Sequence, residues 1–323
     1  MKWPCCVPLV ILVAGIGCSA APSRTTLPSS VRAAPDFIRV GVKDGNRVTV
    51  RRVPLEEYVR AAILSEFAPG SGEAGVVERM FEVQAVIART YAFAHLSRHA
   101  ADGFDLCATT HCQLFQPARL ATSRWAVQTA EAVRRTAGAV LWFDGAPAIT
   151  LFHADCGGRT SNADEVWGGA APPYLVSIAD DGPAAAAHGR WRYETTGSAL
   201  LAALNHDPRT RVGPRLDGVQ VIERDSAGRA ERIALHGRDE RIVRGEPLRE
   251  ILGRTFGART VRSTLFDVRR SGATFIFEGR GFGHGVGLCQ AGALARIRSG
   301  DRLTTVLQRY YPGTKLITAR TTG

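Results

Sequence analysis

Apolar and polar residues alternate from Phe37 to Val53 on either side of Asp44-Gly45-Asn46, a pattern that predicts a β-hairpin. The period then lengthens. Leu55, Val59 and Ala62 recur at helical spacing after Pro54, which suits a first helical turn, and Pro69-Gly70-Ser71-Gly72 ends that helix. A long helix is predicted over Glu73 to His99, with Phe81, Ala85, Ala88, Ala92 and Leu96 on one stripe. A third runs from a Ser123 cap to Thr136 and closes at Gly138. Beyond it the pattern is mostly of strands. Val140–Phe143 and Ala148–His153 flank Asp144-Gly145, Val219–Glu223 and Arg232–Leu235 flank Ser226-Ala227-Gly228, and Phe266–Arg269 and Thr274–Glu278 flank Ser271-Gly272. Short helices over Cys289–Arg298 and Leu303–Tyr310 finish the chain. Early helices and late antiparallel hairpins predict an α+β fold around a cleft, in one large domain or in two lobes with a soft boundary near Gly182 to Gly189.

The N-terminus changes the compartment. Lys2 precedes an uncharged stretch, Val7 to Ile16, of signal-peptide length and too short to span a bilayer. It ends in Gly15-Ile16-Gly17-Cys18, which predicts an exported lipoprotein with its signal over 1–18, Cys18 lipidated and residues 19–35 as a Ser/Thr/Pro/Ala tether. Cleavage within Ser19-Ala20-Ala21, giving a soluble exported protein, is the competing reading. No later stretch is apolar enough to cross a membrane. The net charge of +11 is carried almost wholly by arginine, since Lys2, Lys43 and Lys315 are the only lysines. These charges are scattered, without a basic run interleaved with aromatics, which argues against nucleic acid. An anionic polymer outside the membrane suits them better.

Cys107, His111 and Cys112 fall within six residues, and His99 lies eight residues earlier. Thiolate and imidazole are the usual zinc ligands, so the cluster predicts a zinc site; a short Cys107–Cys112 disulfide is the alternative. Continuing the 55, 59, 62 stripe places Glu66 at an apolar-face position, where burial would raise its pKa as a general acid requires. The plainer reading has Glu66 solvated at a fraying helix end. Arg89, at the margin of the long helix's stripe, could reach an anion in a cleft or extend its head to water. Two glycine-rich segments, Phe152–Thr160 leading to Glu165-Val166-Trp167-Gly168 and Gly279–Gln290, let backbone approach a ligand closely. His284 within the second is a site candidate or a hydrogen-bonded structural histidine. Cys156 and Cys289 lie in the same loops, either as a disulfide or as thiols.

Taken in order, Leu55–Val59 through Leu64-Ser65-Glu66, Gln84–Tyr91, Asp105–Gln113, Phe152–Thr160, Glu165–Gly168, Gly279–Ala293 and Tyr310-Tyr311-Pro312-Gly313-Thr314 resemble the stage II sporulation protein D family, which includes amidase enhancers. The resemblance implies one domain over 36–318 that acts on peptidoglycan glycan strands as a lytic transglycosylase, or that serves a cell-wall amidase as a glycan-binding enhancer. It implies Glu66 as catalytic acid, Arg89 as an active-site arginine, and His99, Cys107, His111 and Cys112 as ligands of a structural zinc. His284, Trp167 and Tyr174 are expected to line the substrate cleft. Phe67 departs from the family's usual methionine, the stretch between Glu66 and Gln84 is longer, and Cys107 and His111 stand one residue closer than in some zinc-binding members.

Hydrolytic glycosidases generally use two carboxylates. Here one stands out, which fits a transglycosylase that closes the sugar's own C6 oxygen onto C1. A zinc amidase would need an open coordination position and a nearby base. A glycan-binding module would need no Glu66.

Overall fold

A computed structural model describes residues 33–45, 47–69, 72–181 and 188–319. The predicted signal peptide, Cys18, most of the tether and most of the 182–189 boundary therefore lie outside the described residues. The first half comprises β1 (Phe37–Asp44), β2 (Arg47–Pro54), α1 (Leu55–Glu66), α2 (Ala74–Ala94), β3 (Leu106–Cys107), α3 (Arg119–Thr122), α4 (Ala126–Arg135), β4 (Ala139–Phe143), β5 (Ala146–Pro147), β6 (Phe152–His153) and α5 (Ala163–Trp167). The second comprises β7 (Arg190–Thr196), α6 (Gly197–Asn205), β8 (Leu216–Arg224), β9 (Ala230–Gly237), β10 (Arg241–Arg244), α7 (Gly245–Phe256), β11 (Phe266–Ser271), β12 (Thr274–Arg280), β13 (Leu288–Cys289), α8 (Gln290–Arg298), α9 (Leu303–Tyr310) and β14 (Lys315–Thr318). The strands form small sheets in the orders β2-β1-β3, β10-β9-β8, β11-β12-β7, β13-β6 and β14-β4-β5, giving the mixed α+β fold the pattern predicts. Among the described residues no helix is long and apolar enough to cross a membrane.

The hairpins at β1–β2, β8–β9 and β11–β12 form as expected, the second with register shifts. The Asp144-Gly145 turn also forms, both residues taking positive φ. Its second arm does not continue the ladder. Only Ala146–Pro147 pairs with β4, while Phe152–His153 leaves to pair in parallel with Leu288–Cys289. That long-range pairing joins the two glycine-rich segments, and local alternation carries no signal of it. The helices α6 and α7 interrupt the strand-rich half, their buried Leu200, Leu204, Leu248 and Leu252 packing with Trp191, Phe275 and Phe277 into one core cluster.

In the first half α2 is the axis. It is buried nearly all round, beyond the single expected stripe, and packs against α1, α4, β4, α8 and α9. It stops at Ala94, short of the predicted His99. Ser97 takes a left-handed conformation and its N–H donates to Asp105 Oδ1 at 3.2 Å, which turns the chain toward β3. Asp105 also accepts from the Arg39 main chain and guanidinium on β1.

Arg89 is fully buried inside this packing. Its Nε and Nη2 grip the Glu56 carboxylate at 2.8 and 2.6 Å, and the remaining N–H groups reach the carbonyls of Ala85, Ala139 and Val133 at 3.4, 3.1 and 3.5 Å. All five donors of the guanidinium are thereby matched. Glu56 begins α1 and Glu66 ends it, about 15 Å apart at the helical rise. The expectation that Arg89 reaches an anion in the cleft is corrected accordingly. Its fork ties α1, α2, α4 and β4 together and has no donor left for a glycan. Removing one partner of a buried pair costs about 3–5 kcal/mol. Glu56 is partly exposed, so Arg89→Met should sit near the lower end, about 3 kcal/mol, in urea unfolding. Unchanged stability would show that the pair does not hold these elements.

Candidate active site

The last turn of α1 presents Glu66, half-buried, against the chain that follows the cysteine cluster. That chain lies along α1 in a series of contacts. Tyr58 donates to Gln113 Oε1 at 3.0 Å and stacks on Phe115, while the N–H of Leu114 donates to Glu66 Oε1 at 2.6 Å. The N–H of Gln116 reaches Ser65 Oγ at 3.0 Å, and Arg119 reaches the Leu64 carbonyl. From the other half of the sequence, Gln290 at the start of α8 directs Nε2 toward the Glu66 main-chain carbonyl at 3.4 Å. Burial pushes the Glu66 carboxyl above its ordinary range, and the Leu114 N–H partly opposes this. No ion pair reaches Glu66 among the described residues. The solvated reading of Glu66 is thus set aside. Its Oε1 is held by the main chain, leaving Oε2 to carry a proton.

Upstream, His99, Cys107, His111 and Cys112 bring one donor atom each within 4.8 Å of all the others. Cys112 Sγ lies 3.4 Å from His99 Nε2 and 3.7 Å from His111 Nδ1, and Cys107 Sγ lies 3.6 Å from His111 Nδ1. A tetrahedral ion with ordinary zinc–sulfur and zinc–nitrogen bonds sets sulfur and nitrogen about 3.6 Å apart. The donor set and its spacing therefore fit zinc, with four protein ligands and no open position. Asp102 Oδ2 sits 3.1 Å from His99 Nδ1, which turns Nε2 inward, the outer-shell arrangement common for ligating imidazoles. Phe104 stacks on the His99 ring and lies flat on β1, where a side chain at Gly41 would collide with it at 2.6 Å. Both thiols are free, so the alternative of a Cys107–Cys112 disulfide is not what the structure contains.

The expected cleft residues separate. Trp167 is 43% exposed, and its ring lies 5.2 Å from that of His284. His284 accepts from the Val286 N–H at 3.1 Å, and burial next to His153, Arg249 and Arg229 holds its pKa well below the ordinary value, so the ring is neutral. Tyr174 does not line a cleft. It is buried against Phe143, and its hydroxyl accepts from the Ile149 N–H at 2.7 Å. That contact corrects its expected role, since the hydroxyl has a structural partner. None of the three touches Glu66 through a hydrogen bond or ring contact among the described residues. Sequence reasoning missed the Leu114 N–H, because a main-chain donor leaves no mark on residue type. It also missed Gln290 as a partner of α1, although the residue closes a quoted motif.

The fold and site describe an α+β protein with one half-buried carboxylate braced by a loop of soft metal donors. Residues 43–143 match the family model described as Stage II sporulation protein, in agreement with the motif resemblance. Residues 184–287 match a model described only as a domain of unknown function. The chain is 25% identical over 299 residues to Stage II sporulation protein D of Bacillus subtilis, covering 89% of this chain and 80% of that protein. It is 28% identical over 273 residues to an uncharacterised protein of Brachyspira hyodysenteriae, covering 84% and 68%. Amidase enhancer of Bacillus subtilis is 25% identical over 276 residues, 73% of this chain but 37% of that longer protein.

The raised pKa of Glu66 has a consequence for stability. A group whose folded pKa lies above its unfolded value favours the fold when protonated and opposes it as pH rises through the folded pKa. Glu66→Gln, which keeps an acceptor for Leu114, should therefore unfold at higher urea than wild type at pH 7. That gain should disappear below the unfolded carboxyl pKa. A difference independent of pH would show that Glu66 titrates as a solvated group.

Proposed function

We propose that this protein cleaves cell-wall glycan as a lytic transglycosylase with Glu66 as the sole acid–base residue. The observation that carries the reading is Glu66 itself, desolvated, unpaired by any cation among the described residues, and fixed through Oε1 by the Leu114 N–H. The names of the relatives, a sporulation protein D and an amidase enhancer, agree with a cell-wall role. Protonated Glu66 would donate from Oε2 to the oxygen linking N-acetylmuramic acid to N-acetylglucosamine. As that bond breaks, the carboxylate takes the proton of the muramyl C6 hydroxyl, and O6 bonds to C1. The products are a free 4-hydroxyl on one side and a 1,6-anhydro end on the other, with no water consumed. Trp167 and neutral His284 offer an aromatic ledge for a sugar face.

In this reading His99, Cys107, His111 and Cys112 hold a structural zinc, which supplies folding free energy to the loop that ends in Leu114. The second reading, a non-catalytic partner of a cell-wall amidase, is favoured by the amidase-enhancer relative. Export and lipid attachment at Cys18 would place the domain at the membrane face of the wall.

Incubating the mature protein with peptide-stripped peptidoglycan and weighing the products separates these readings. Anhydro-muramyl ends are expected. Glu66→Gln should lower their release by about a thousandfold or more, the scale on which general acid–base groups act together with positioning. Undiminished release by that variant sinks the assignment. Stimulation of an added amidase without anhydro ends installs the second reading. The purified protein should carry zinc at the Cys107 cluster, and Cys107→Ser with Cys112→Ser should lower both zinc content and melting temperature. Full zinc content in that double variant would remove the cluster from the account. The mass of the mature N-terminus reads the anchor: a diacylated Cys18 is expected, and a free start at Ala20 or Ala21 overturns it.

A further inference from the structure

A second group of soft donors lies where the two glycine-rich segments meet the chain entering β7. Asp155, Cys156, His188 and Cys289 bring their donor atoms within 4.8 Å of one another, although they come from three distant parts of the sequence. Both cysteines are fully buried, and both are free thiols. We propose that Cys156 Sγ, Cys289 Sγ and His188 Nε2 bind a zinc-class divalent cation, with a carboxylate oxygen of Asp180 completing the set and Asp155 orienting the imidazole.

Four observations lead there. Asp155 Oδ1 lies 2.6 Å from His188 Nδ1, which leaves Nε2 as the free ring nitrogen, and Cys156 Sγ lies beside the ring, 3.9 Å from Nδ1 and 4.0 Å from Nε2. A carboxylate on one imidazole nitrogen and a metal on the other is the usual outer-shell pattern. Asp155 is itself held by the N–H groups of Gly157 and Gly189 at 2.8 Å each, so its place is fixed without an ion. Three main-chain N–H groups point at the two sulfurs. Cys156 N and Gly292 N reach Cys289 Sγ at 3.2 and 3.3 Å, and Gly158 N reaches Cys156 Sγ at 3.3 Å. Such donors stabilise sulfur carrying negative charge, and Cys289 also caps the N-terminus of α8, where an anion is favoured.

The buried carboxylate of Asp180 lies 3.4 Å from Cys156 Sγ. It accepts from the Tyr310 hydroxyl at 2.8 Å, and its nearest cation is Arg296 Nε at 3.5 Å, whose guanidinium is shared with Asp181. Buried Arg229 donates to the carbonyls of Cys156 and Gly283, and no hydrogen bond runs from it to either sulfur. Should both thiols lose their protons on binding, a divalent cation would offset the negative charge that the two thiolates and Asp180 then place in this buried site. Cys156 Sγ is nearly equidistant from the two ring nitrogens, so the His188 side chain must turn to bring Nε2 to a tetrahedral edge of about 3.6 Å from it. Such an ion would tie the strand-rich half to the loops bearing Trp167 and His284, independently of what Glu66 does.

The test is a zinc count on the full chain by native mass spectrometry and elemental analysis, after dialysis against a weak chelator. Wild type should hold two ions. Cys107→Ser with Cys112→Ser should retain one, and adding Cys156→Ser and Cys289→Ser should remove it. Should the first double variant fail to fold, Cys156→Ser alone in the otherwise wild-type chain should lower the count from two to one. Cobalt added to the first double variant should give a thiolate-to-metal charge-transfer band that the quadruple variant lacks. A Cys156→Ser protein with the wild-type zinc count overturns the site. So does a wild-type mass short by two hydrogens and restored by reductant, with the linkage mapped to Cys156 and Cys289, because that is a disulfide. Metal-free thiols at both positions in zinc-treated protein overturn it as well.

Discussion

The fork of buried Arg89 on the partly exposed Glu56 carboxylate is the constraint on which the first half of the structure depends. A guanidinium fully removed from water is tolerable only where its donors are matched, and here the partners come from α1, α2, α4 and the start of β4. The planar fork specifies their relative placement more narrowly than apolar packing would. This explains how α2 can be buried on nearly every side while still carrying a charged residue. It also fixes the N-terminal end of α1, so the helix delivers Glu66 from a defined direction. An arginine expected in the cleft is thus part of the scaffold that carries Glu66.

The other end of α1 is held by different means. Ser65 and Glu66 engage the chain after the Cys107 cluster, Tyr58 in the first turn engages the same chain, and Gln290 meets the last turn from α8. Most of these contacts are single hydrogen bonds, worth about 1 kcal/mol each, so the loop's own rigidity decides whether they persist. Before any ion is added, that rigidity comes from Asp105 bridging β1 to the end of α2, and from Phe104 lying on Gly41 beneath His99. The soft donors are therefore prearranged by ordinary packing. A site already at metal-like spacing loses less conformational entropy on binding than one assembled by the ion.

Much of this was legible in the residue pattern because its causes are local. The early helices, most hairpin turns, the final helices α8 and α9, the position of Glu66 and the Cys107 cluster all follow from periodicity, turn chemistry and short spacing. What escaped depends on distant contacts. The β6–β13 pairing joins positions more than a hundred residues apart, and α6 and α7 take shape against the core around Trp191 and Phe275. Arg89 and Tyr174 were misplaced for one reason: residue type shows that a group can bind a ligand, not that a neighbouring carboxylate or main-chain N–H already occupies it. His188 gave no signal at all, standing after an alanine-rich stretch, and acquires meaning only beside Asp155 and Cys156.

Under the proposed mechanism a single carboxylate gives a proton and then takes one back, so it must not favour either state strongly. Burial alone would hold Glu66 protonated and make it a willing donor, but would leave the carboxylate formed afterwards unsupported. A charged partner would do the reverse and keep it ionised from the start. The Leu114 N–H lies between these extremes. It is a neutral dipole that stabilises the anion on Oε1 without cancelling the desolvation that raises the pKa. Because Leu114 follows the Cys107 cluster directly, whatever loosens that loop weakens the donor and moves the balance further toward the protonated form. The acid–base behaviour of Glu66 is thus tied to the order of a loop whose donors sit at the spacing of a metal site.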